Sequence, residues 1–332
     1  MIRTMVFAGI IALAACSSEA QDSAKTQDVP APQIKPIAAK AAQVAEPHSE
    51  PLHDAQSSSP NPDAAPKKMD WSKPLTCVGQ AVQGGALLCR TYGSTYVTLG
   101  GTKVQSDGSG QVILGFDRDA PSTVTAKLVD PGGHSYSQTF DVKAREWDIS
   151  RIDGLPKNQV SEYTAEELKR IRAATARKKI GFASQEPVVR LTSDGFESPV
   201  KDYIKTTNFG AQRILNGIKK RPHYGVDMAA PAGTPITAPA DGVVSLADMD
   251  MYFEGSLIMI DHGQGLISYY MHMQDVLVEP GQIIKTGDVI GKIGTRGRST
   301  GPHLCWRLKW RGQNLDPELL TKWPDQVQLS QD

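Results

Sequence analysis

His303 and Cys305 are the first residues of this chain whose types and spacing could build a reactive site. They stand two residues apart in Pro302-His-Leu-Cys-Trp-Arg-Leu-Lys309, a run typical of a β-strand. Residues i and i+2 of a strand project from one face, so an imidazole and a thiol would point at a common place. Zinc binds both groups. A buried cysteine beside a capping histidine would look the same, so a metal site requires further ligands.

Further ligand types lie upstream in the same half of the chain. His223 and Asp227 are four residues apart with Gly225 between them, and an extended backbone would again place both on one face. His272 closes another apolar run. His262 lies in a turn before Gly263, where we expect structural hydrogen bonds rather than metal binding.

The amino terminus has the pattern of an export signal. A short basic start and an apolar stretch too short to span a bilayer lead to Leu13-Ala-Ala-Cys16, which resembles the bacterial lipobox. The resemblance implies that residues 1–16 are a lipoprotein signal and that a lipid on Cys16 anchors the chain to a membrane. Ser17 after this cysteine implies sorting to the periplasmic face of the outer membrane of a Gram-negative envelope. The alternative is an ordinary cleavable signal.

Three cysteines remain after Cys16, and they do not pair evenly. Cys77 and Cys89 flank a segment that contains Gly84-Gly85, which suits a hairpin closed by a disulfide in an oxidising compartment. Cys305 is then unpaired, and a bound metal would explain its presence.

Composition and turn signals divide the rest of the chain into four parts. Residues 17–74 are rich in Pro, Ala, Ser and Gln and are expected to form a disordered tether. Short β-type runs separated by Gly and Pro turns over residues 75–150 predict a small sandwich, immunoglobulin-like in a loose sense. Residues 160–182 are expected to form a linker helix. Residues 195–322 show recurrent glycines between short apolar runs and no helical period, which predicts an antiparallel Gly-rich β domain. The fold class is therefore mainly all-β.

The linker helix has clear boundary signals. Thr164 and Glu167 form a capping box, Leu168 and Ile171 begin an apolar stripe, and Gly181 follows the basic end as an expected stop. A helix with charges of both signs is expected to be a packed connector.

The charge balance gives no reason to expect a nucleic-acid partner. Lys plus Arg number 36 and Asp plus Glu also number 36. A chain without net charge has no general attraction for a polyanion.

Several segments of the last domain, in order, resemble the M23 metallopeptidases of the lysostaphin and LytM type. They are Arg221-Pro-His-Tyr-Gly-Val-Asp-Met-Ala-Ala-Pro231, Pro239-Ala-Asp-Gly-Val-Val244, Tyr270-Met-His-Met273, Val278-Glu-Pro-Gly-Gln282, Gly287-Asp-Val-Ile-Gly291 and Ser299-Thr-Gly-Pro-His303. The resemblance extends from about Asn208 to Pro317.

The resemblance implies a role for each candidate residue. His223 and Asp227 become zinc ligands, and His272 and His303 become the uncoordinated pair beside the metal, with His303 favoured as general base. The family's third ligand is the second His of a His-x-His motif, and here that position is Cys305. A thiolate can complete a zinc site, but it lowers the net charge of the site and weakens its Lewis acidity.

The expected function is therefore zinc-dependent hydrolysis of peptide stems or cross-links of peptidoglycan at the outer membrane. One alternative is a catalytically inactive relative that binds peptidoglycan or activates a cell-wall amidase. A third possibility is that the small β domain is the functional part, with a divisome or amidase partner, and that the peptidase domain is its scaffold.

Overall fold

The computed structural model describes residues 74–155, 157–160, 162–192, 194–321 and 323. The signal expected at residues 1–16 lies outside the described residues, as does the tether expected at 17–74 apart from Pro74. Within the described ranges, no helix is both long enough and apolar enough to cross a membrane.

The first half of the described chain contains eight strands and two helices. The strands are β1 (Thr76–Gly79), β2 (Ala86–Arg90), β3 (Tyr96–Leu99), β4 (Thr102–Gln105), β5 (Gln111–Gly115), β6 (Thr123–Val129), β7 (Ser135–Asp141) and β8 (Ile149–Ile152). The helices are α1 (Lys157–Val160) and α2 (Ala165–Phe182).

The second half contains thirteen strands and one short helix. The strands are β9 (Ile204–Thr207), β10 (Gln212–Leu215), β11 (Ile218–Lys219), β12 (Val226–Ala229), β13 (Pro235–Thr237), β14 (Gly242–Met251), β15 (Gly255–Asp261), β16 (Leu266–Met271), β17 (Met273–Val276), β18 (Ile283–Ile284), β19 (Val289–Ile293), β20 (His303–Trp310) and β21 (Gln313–Leu315). The helix is α3 (Pro317–Thr321). The mainly β fold is confirmed, and α3, with five residues, is the one helix described in this half.

Two antiparallel sheets, β1-β2-β5 and β4-β3-β6-β7, form the first half around a shared apolar core. In β6, Ala126 and Leu128 are buried while Thr125 and Lys127 are exposed, as expected of a strand with one face on a core. The hairpin disulfide between Cys77 and Cys89 is present, with the two residues opposite one another on β1 and β2.

The large sheet of the second half has the order β18-β14-β15-β16-β20-β12-β9, with β21 on β20, and its neighbours pair antiparallel. Its strands alternate between two apolar layers. One layer contains Ile258, Tyr270 and Trp306, and the other contains Met259 and Cys305 under helix α2. Cys305 therefore belongs to the side of the sheet that α2 covers.

Helix α2 begins after Thr164, whose capping box with Glu167 is present. The expected stop at Gly181 was wrong, because the helix continues to Phe182. A Cβ on Gly181 would lie 2.6 Å from Met259 Sδ, so the glycine lets the helix approach the sheet closely. The expected apolar stripe is also weak, since Leu168 remains 36% exposed. Ion pairs such as Arg177 with Asp248, at 2.6 Å, tie the helix to β14 instead.

Strand pairing and buried side-chain contacts join the two halves of the described chain. Strand β8 pairs in parallel with β10, so the predicted boundary at residue 150 falls inside a strand that continues the second half. The buried Gln264 side chain accepts from Ile113 N at 2.9 Å and donates to Gln111 O at 3.0 Å. Gly115 packs on Trp310, where an added Cβ would lie 2.9 Å from the indole ring. The small β region is thus packed against the large sheet through buried contacts.

Candidate metal centre and catalytic site

Three predicted ligands converge at one buried point. Strand pairing places Asp227 of β12 directly opposite Cys305 of β20. His223 precedes β12 in a loop whose backbone is fixed by hydrogen bonds to Gly210 and Ala211. His223 Nε2 lies 3.1 Å from Asp227 Oδ1 and 3.2 Å from Cys305 Sγ. One donor atom from each of the three residues lies within 4.8 Å of the other two.

The donor set suits a divalent cation such as zinc. Imidazole nitrogen, carboxylate oxygen and thiolate sulfur are the atoms that zinc prefers. Asp227 Oδ1 is buried and accepts no hydrogen bond of normal geometry, although His223 Nε2 is close to it. Because a buried carboxylate oxygen is costly to leave without a partner, this atom indicates that a ligand belongs between the three side chains.

The pKa values of the three groups reflect their burial. Burial lowers the pKa of His223 to about 4 despite the neighbouring carboxylate, which leaves the imidazole neutral and able to bind a metal. Burial favours the neutral acid of Asp227, but the adjacent His223 imidazole outweighs this effect and holds the pKa of Asp227 well below its usual range. Burial, with the charge of Asp227, raises the pKa of Cys305 to about 12.

His272 and His303 lie side by side, with ring centroids 4.8 Å apart. His272 Nδ1 is 2.8 Å from Arg296 O, and His303 Nδ1 is 2.9 Å from Gly301 O. A carbonyl can only accept, so each Nδ1 carries a proton, and in the neutral form of each ring Nε2 keeps its lone pair. Burial lowers the pKa of His272 to about 4, so this ring is neutral near neutral pH. Both rings are therefore set to accept a proton at Nε2.

The backbone at His272 is left-handed, with φ of 68°, in the single residue between β16 and β17. A non-glycine residue with such a φ is strained, and strain of this kind clusters at functional sites. The turn is fixed by a hydrogen bond from His272 N to Glu254 O. It holds the imidazole beside His303.

Two arginines that were not predicted from the sequence complete the site. Arg213 of β10 lies 3.4 Å from Asp227 Oδ2, and Arg307 Nε donates to Cys305 Sγ at 3.4 Å. Arg307 stands two residues after Cys305 on the same strand, so the spacing that pairs His303 with Cys305 also points to it. Nothing local in the sequence indicates Arg213, because its strand reaches the site only through tertiary packing.

A cavity of about 370 Å³ opens over Asp227, Cys305 and the imidazoles of His272 and His303. Its walls include Ile152 and Leu155, which follow the small β region, and Arg213 and Leu215 from the hairpin of β10 and β11. Asn216 fixes this wall by exchanging hydrogen bonds of 3.0 and 2.8 Å with the Leu155 backbone. No local pattern in the sequence indicates that Ile152 and Leu155 are part of the site.

His262 lies away from the candidate ligands in a buried hydrogen-bond network. Its Nδ1 donates to Asp241 O at 2.7 Å, and its Nε2 lies 2.7 Å from Ser268 Oγ, which lies 2.7 Å from the Tyr270 hydroxyl. Burial lowers the pKa of His262 to about 4. The network uses the neutral imidazole to satisfy a carbonyl and a hydroxyl inside the core.

This network predicts a pH-dependent stability. The unfolded chain takes up a proton on His262 near pH 6.5 while the folded chain resists until about pH 4, so stability falls as pH drops from 6.5 toward 4. Between pH 7 and pH 5, the free energy of unfolding of the EDTA-treated wild type is expected to fall by about 2 kcal/mol more than that of His262→Gln. Denaturant titrations at the two pH values measure this loss. His134→Gln, at an exposed turn, serves as the control and should leave the loss unchanged. An unchanged loss in His262→Gln would show that other groups carry it.

An antiparallel sheet that presents a His, Asp and Cys cluster beside two imidazoles has the arrangement of a metallopeptidase domain. Residues 221–317 match the sequence profile described as Peptidase family M23.

Curated relatives share this region. The chain is 40% identical over 113 residues to "Peptidoglycan DD-endopeptidase ShyA" of Vibrio cholerae. This matched segment covers 33% of this chain and 26% of that protein. The chain is also 40% identical over 97 residues to "DD-carboxypeptidase/endopeptidase Mpg" of Neisseria meningitidis. That match covers 29% of this chain and 22% of the relative. The matched segment thus spans about a quarter of the length of these relatives.

The likeness to one solved structure extends beyond this domain. A crystal structure assigned to peptidase M23 from Pseudomonas aeruginosa superimposes with a TM-score of 0.58 at 26% identity. The superposition covers 74% of this chain and 96% of the other. The fold similarity therefore includes part of the chain outside residues 221–317.

Proposed function

We propose that the chain is a zinc-dependent endopeptidase that hydrolyses peptide stems or cross-links of peptidoglycan. The observation that carries the proposal is the convergence of His223, Asp227 and Cys305 beside His272 and His303 at the base of an open cavity. The names of the relatives, a peptidoglycan DD-endopeptidase and a DD-carboxypeptidase/endopeptidase, support peptidoglycan as the substrate.

His223, Asp227 and Cys305 would hold the zinc ion. Zinc in such a site polarises the scissile carbonyl and acidifies water for attack. Asp227 and a thiolate at Cys305 supply two negative charges, so they balance a divalent cation. The guanidinium groups of Arg213 and Arg307 lie against these two ligands and return positive charge to the site. This positive charge would compensate for part of the loss of Lewis acidity that a thiolate ligand causes.

The two imidazoles would move the protons. His303 is the proposed general base, because its Nδ1 is held on Gly301 O and its half-buried ring leaves Nε2 free to accept the proton of the attacking water. The His272 ring lies beside that of His303. When protonated at Nε2, it would donate a hydrogen bond to the oxyanion of the tetrahedral intermediate. The protonated imidazole would then deliver its proton to the leaving amine.

The remaining parts of the chain would place this domain at the cell wall. A lipid on Cys16 would anchor it to the periplasmic face of the outer membrane, and residues 17–74 would act as a tether. The predicted β domain at residues 75–150 would bind a divisome or amidase partner while packed on the peptidase domain at 195–322, and residues 160–182 would form the helix that connects them. The extensive packing of the first module on the large sheet supports a fixed orientation of that module.

The proposal is tested by measuring bound zinc and the soluble peptides released from purified peptidoglycan by the full chain. Wild-type protein is expected to carry about one zinc and to release peptides, because its donor set is complete. His223→Ala should lose both, and His134→Ala should lose neither. The alternative of an inactive peptidoglycan-binding protein or amidase activator would be supported if the wild type sedimented with peptidoglycan without cleaving it.

A further inference from the structure

The cavity over the candidate site is the middle part of a longer groove. On one side it continues into a cavity of about 620 Å³, with which it shares Ala229 and Pro302. On the other side it continues into a cavity of about 1070 Å³, with which it shares Arg213, Arg298 and Arg307. A ligand that reaches both ends therefore passes directly over His272 and His303.

The two ends of the groove differ in charge. The larger cavity, which we call the basic arm, is lined by cations that include Lys179, Lys220, Arg221 and Lys309. Glu254 is the one acidic side chain among its described lining residues, and it is paired with Lys178.

The smaller cavity, which we call the neutral arm, has a different lining. Its charged residues are Lys201 and Asp202, which cancel, and the rest of its wall includes Tyr203, Ile204 and Pro231. Ile204 is 73% exposed. An exposed aliphatic side chain at the groove wall suits an uncharged part of a ligand.

Lys309 of the basic arm is held in place by an aromatic ring. Its Nζ lies 4.5 Å from the centroid of Phe182. Stacking on an aromatic ring orients a cation without neutralising it. Lys179 and Arg221 are exposed at the outer wall. The arm is thus a concentration of positive charge on a chain with 36 basic and 36 acidic residues.

We infer that the groove binds an extended peptide whose free carboxylates lie on one side of the scissile bond, in the basic arm. Arginine and lysine are the natural partners of carboxylates. A uniformly charged polyanion, such as a nucleic acid or an acidic polysaccharide, would require positive charge along both arms, and the charges of Lys201 and Asp202 cancel in the neutral arm. The inference deepens the proposed function and rests on it, because it names the chemistry of the peptide that would be cut.

The test uses two fluorescein-labelled peptidoglycan stem peptides that differ only in whether their side-chain carboxylates are free or amidated. Fluorescence anisotropy measures their binding to the EDTA-treated full chain at low salt, so no hydrolysis is required. The free-carboxylate peptide is expected to bind about tenfold more tightly, because each exposed charge pair that it forms in the basic arm adds only a small increment of affinity.

The matching variant is Lys179→Gln with Arg221→Gln, which contacts none of the candidate ligands or imidazoles. It should weaken the free-carboxylate peptide about tenfold and leave the amidated peptide unchanged. Arg90→Gln with Lys127→Gln removes two exposed cations from the small β region and should change neither affinity.

Equal affinity for the two peptides, or equal weakening of both by the groove variant, would overturn the inference. Tighter binding of a single-stranded oligonucleotide or of phosphatidylglycerol vesicles, lost in the same variant, would also overturn it and reassign the basic arm to a polyanion. The proposed function fails separately, when peptidoglycan is not cleaved by the zinc-loaded chain. A carboxylate preference without cleavage would therefore retain the groove inference alone.

Discussion

Replacing Cys305 by serine is expected to lower zinc affinity more than about a hundredfold and to abolish hydrolysis. Changes to groups that merely support metal ligands cost about 10- to 100-fold in metal affinity, and Cys305 would be a ligand itself. A serine hydroxyl also resists deprotonation, so His223 and Asp227 would be left as the only competent donors. Zinc content after dialysis and competition with a chromogenic chelator measure the loss.

Cys305→His is the variant to compare with Cys305→Ser, because it replaces the thiolate by another zinc ligand. A neutral imidazole at this position gives the site one more positive charge than a thiolate does, so water would be acidified more strongly and hydrolysis should persist or increase. Thr207→Ala, in the wall of the same cavity, should keep its zinc. Thermal unfolding in EDTA checks that the variants are folded. Full zinc content in a folded Cys305→Ser protein would remove Cys305 from the ligand set.

His303→Ala is expected to lower kcat by about 10²- to 10⁴-fold, the range that a general base contributes. Zinc content should remain that of the wild type, because His303 Nδ1 bonds to Gly301 O and the ring lies outside the three-ligand cluster. Peptide release from peptidoglycan, measured at saturating substrate, reports the change together with zinc content.

The comparison variant is His272→Ala. A similar loss of kcat in both variants would indicate that the two imidazoles act as a unit. Their rings are close enough for this, with centroids 4.8 Å apart. His134→Ala, at an exposed turn, should have no effect. Loss of zinc in His303→Ala would contradict the base assignment, because it would make His303 a ligand.

Local patterns predicted the parts of the fold that depend on neighbouring residues. The capping box of Thr164 and Glu167, the strand that carries His303 and Cys305, and the disulfide between Cys77 and Cys89 are all present. Each depends on short-range geometry, on strand alternation or on hairpin closure. The stop expected at Gly181 was wrong because a glycine can also serve close packing, and only the position of Met259 distinguishes the two roles.

The sequence by itself determined that a thiol and an imidazole share one face of the last long strand, and the family resemblance added His223, Asp227 and His272. Only the tertiary structure decided that Asp227 lies opposite Cys305, since that register is fixed by the pairing of β12 with β20. The same is true of Arg213, Ile152 and the charge difference between the two arms of the groove. These features combine residues far apart in the chain, and side-chain periodicity carries no information about which distant strands and loops meet.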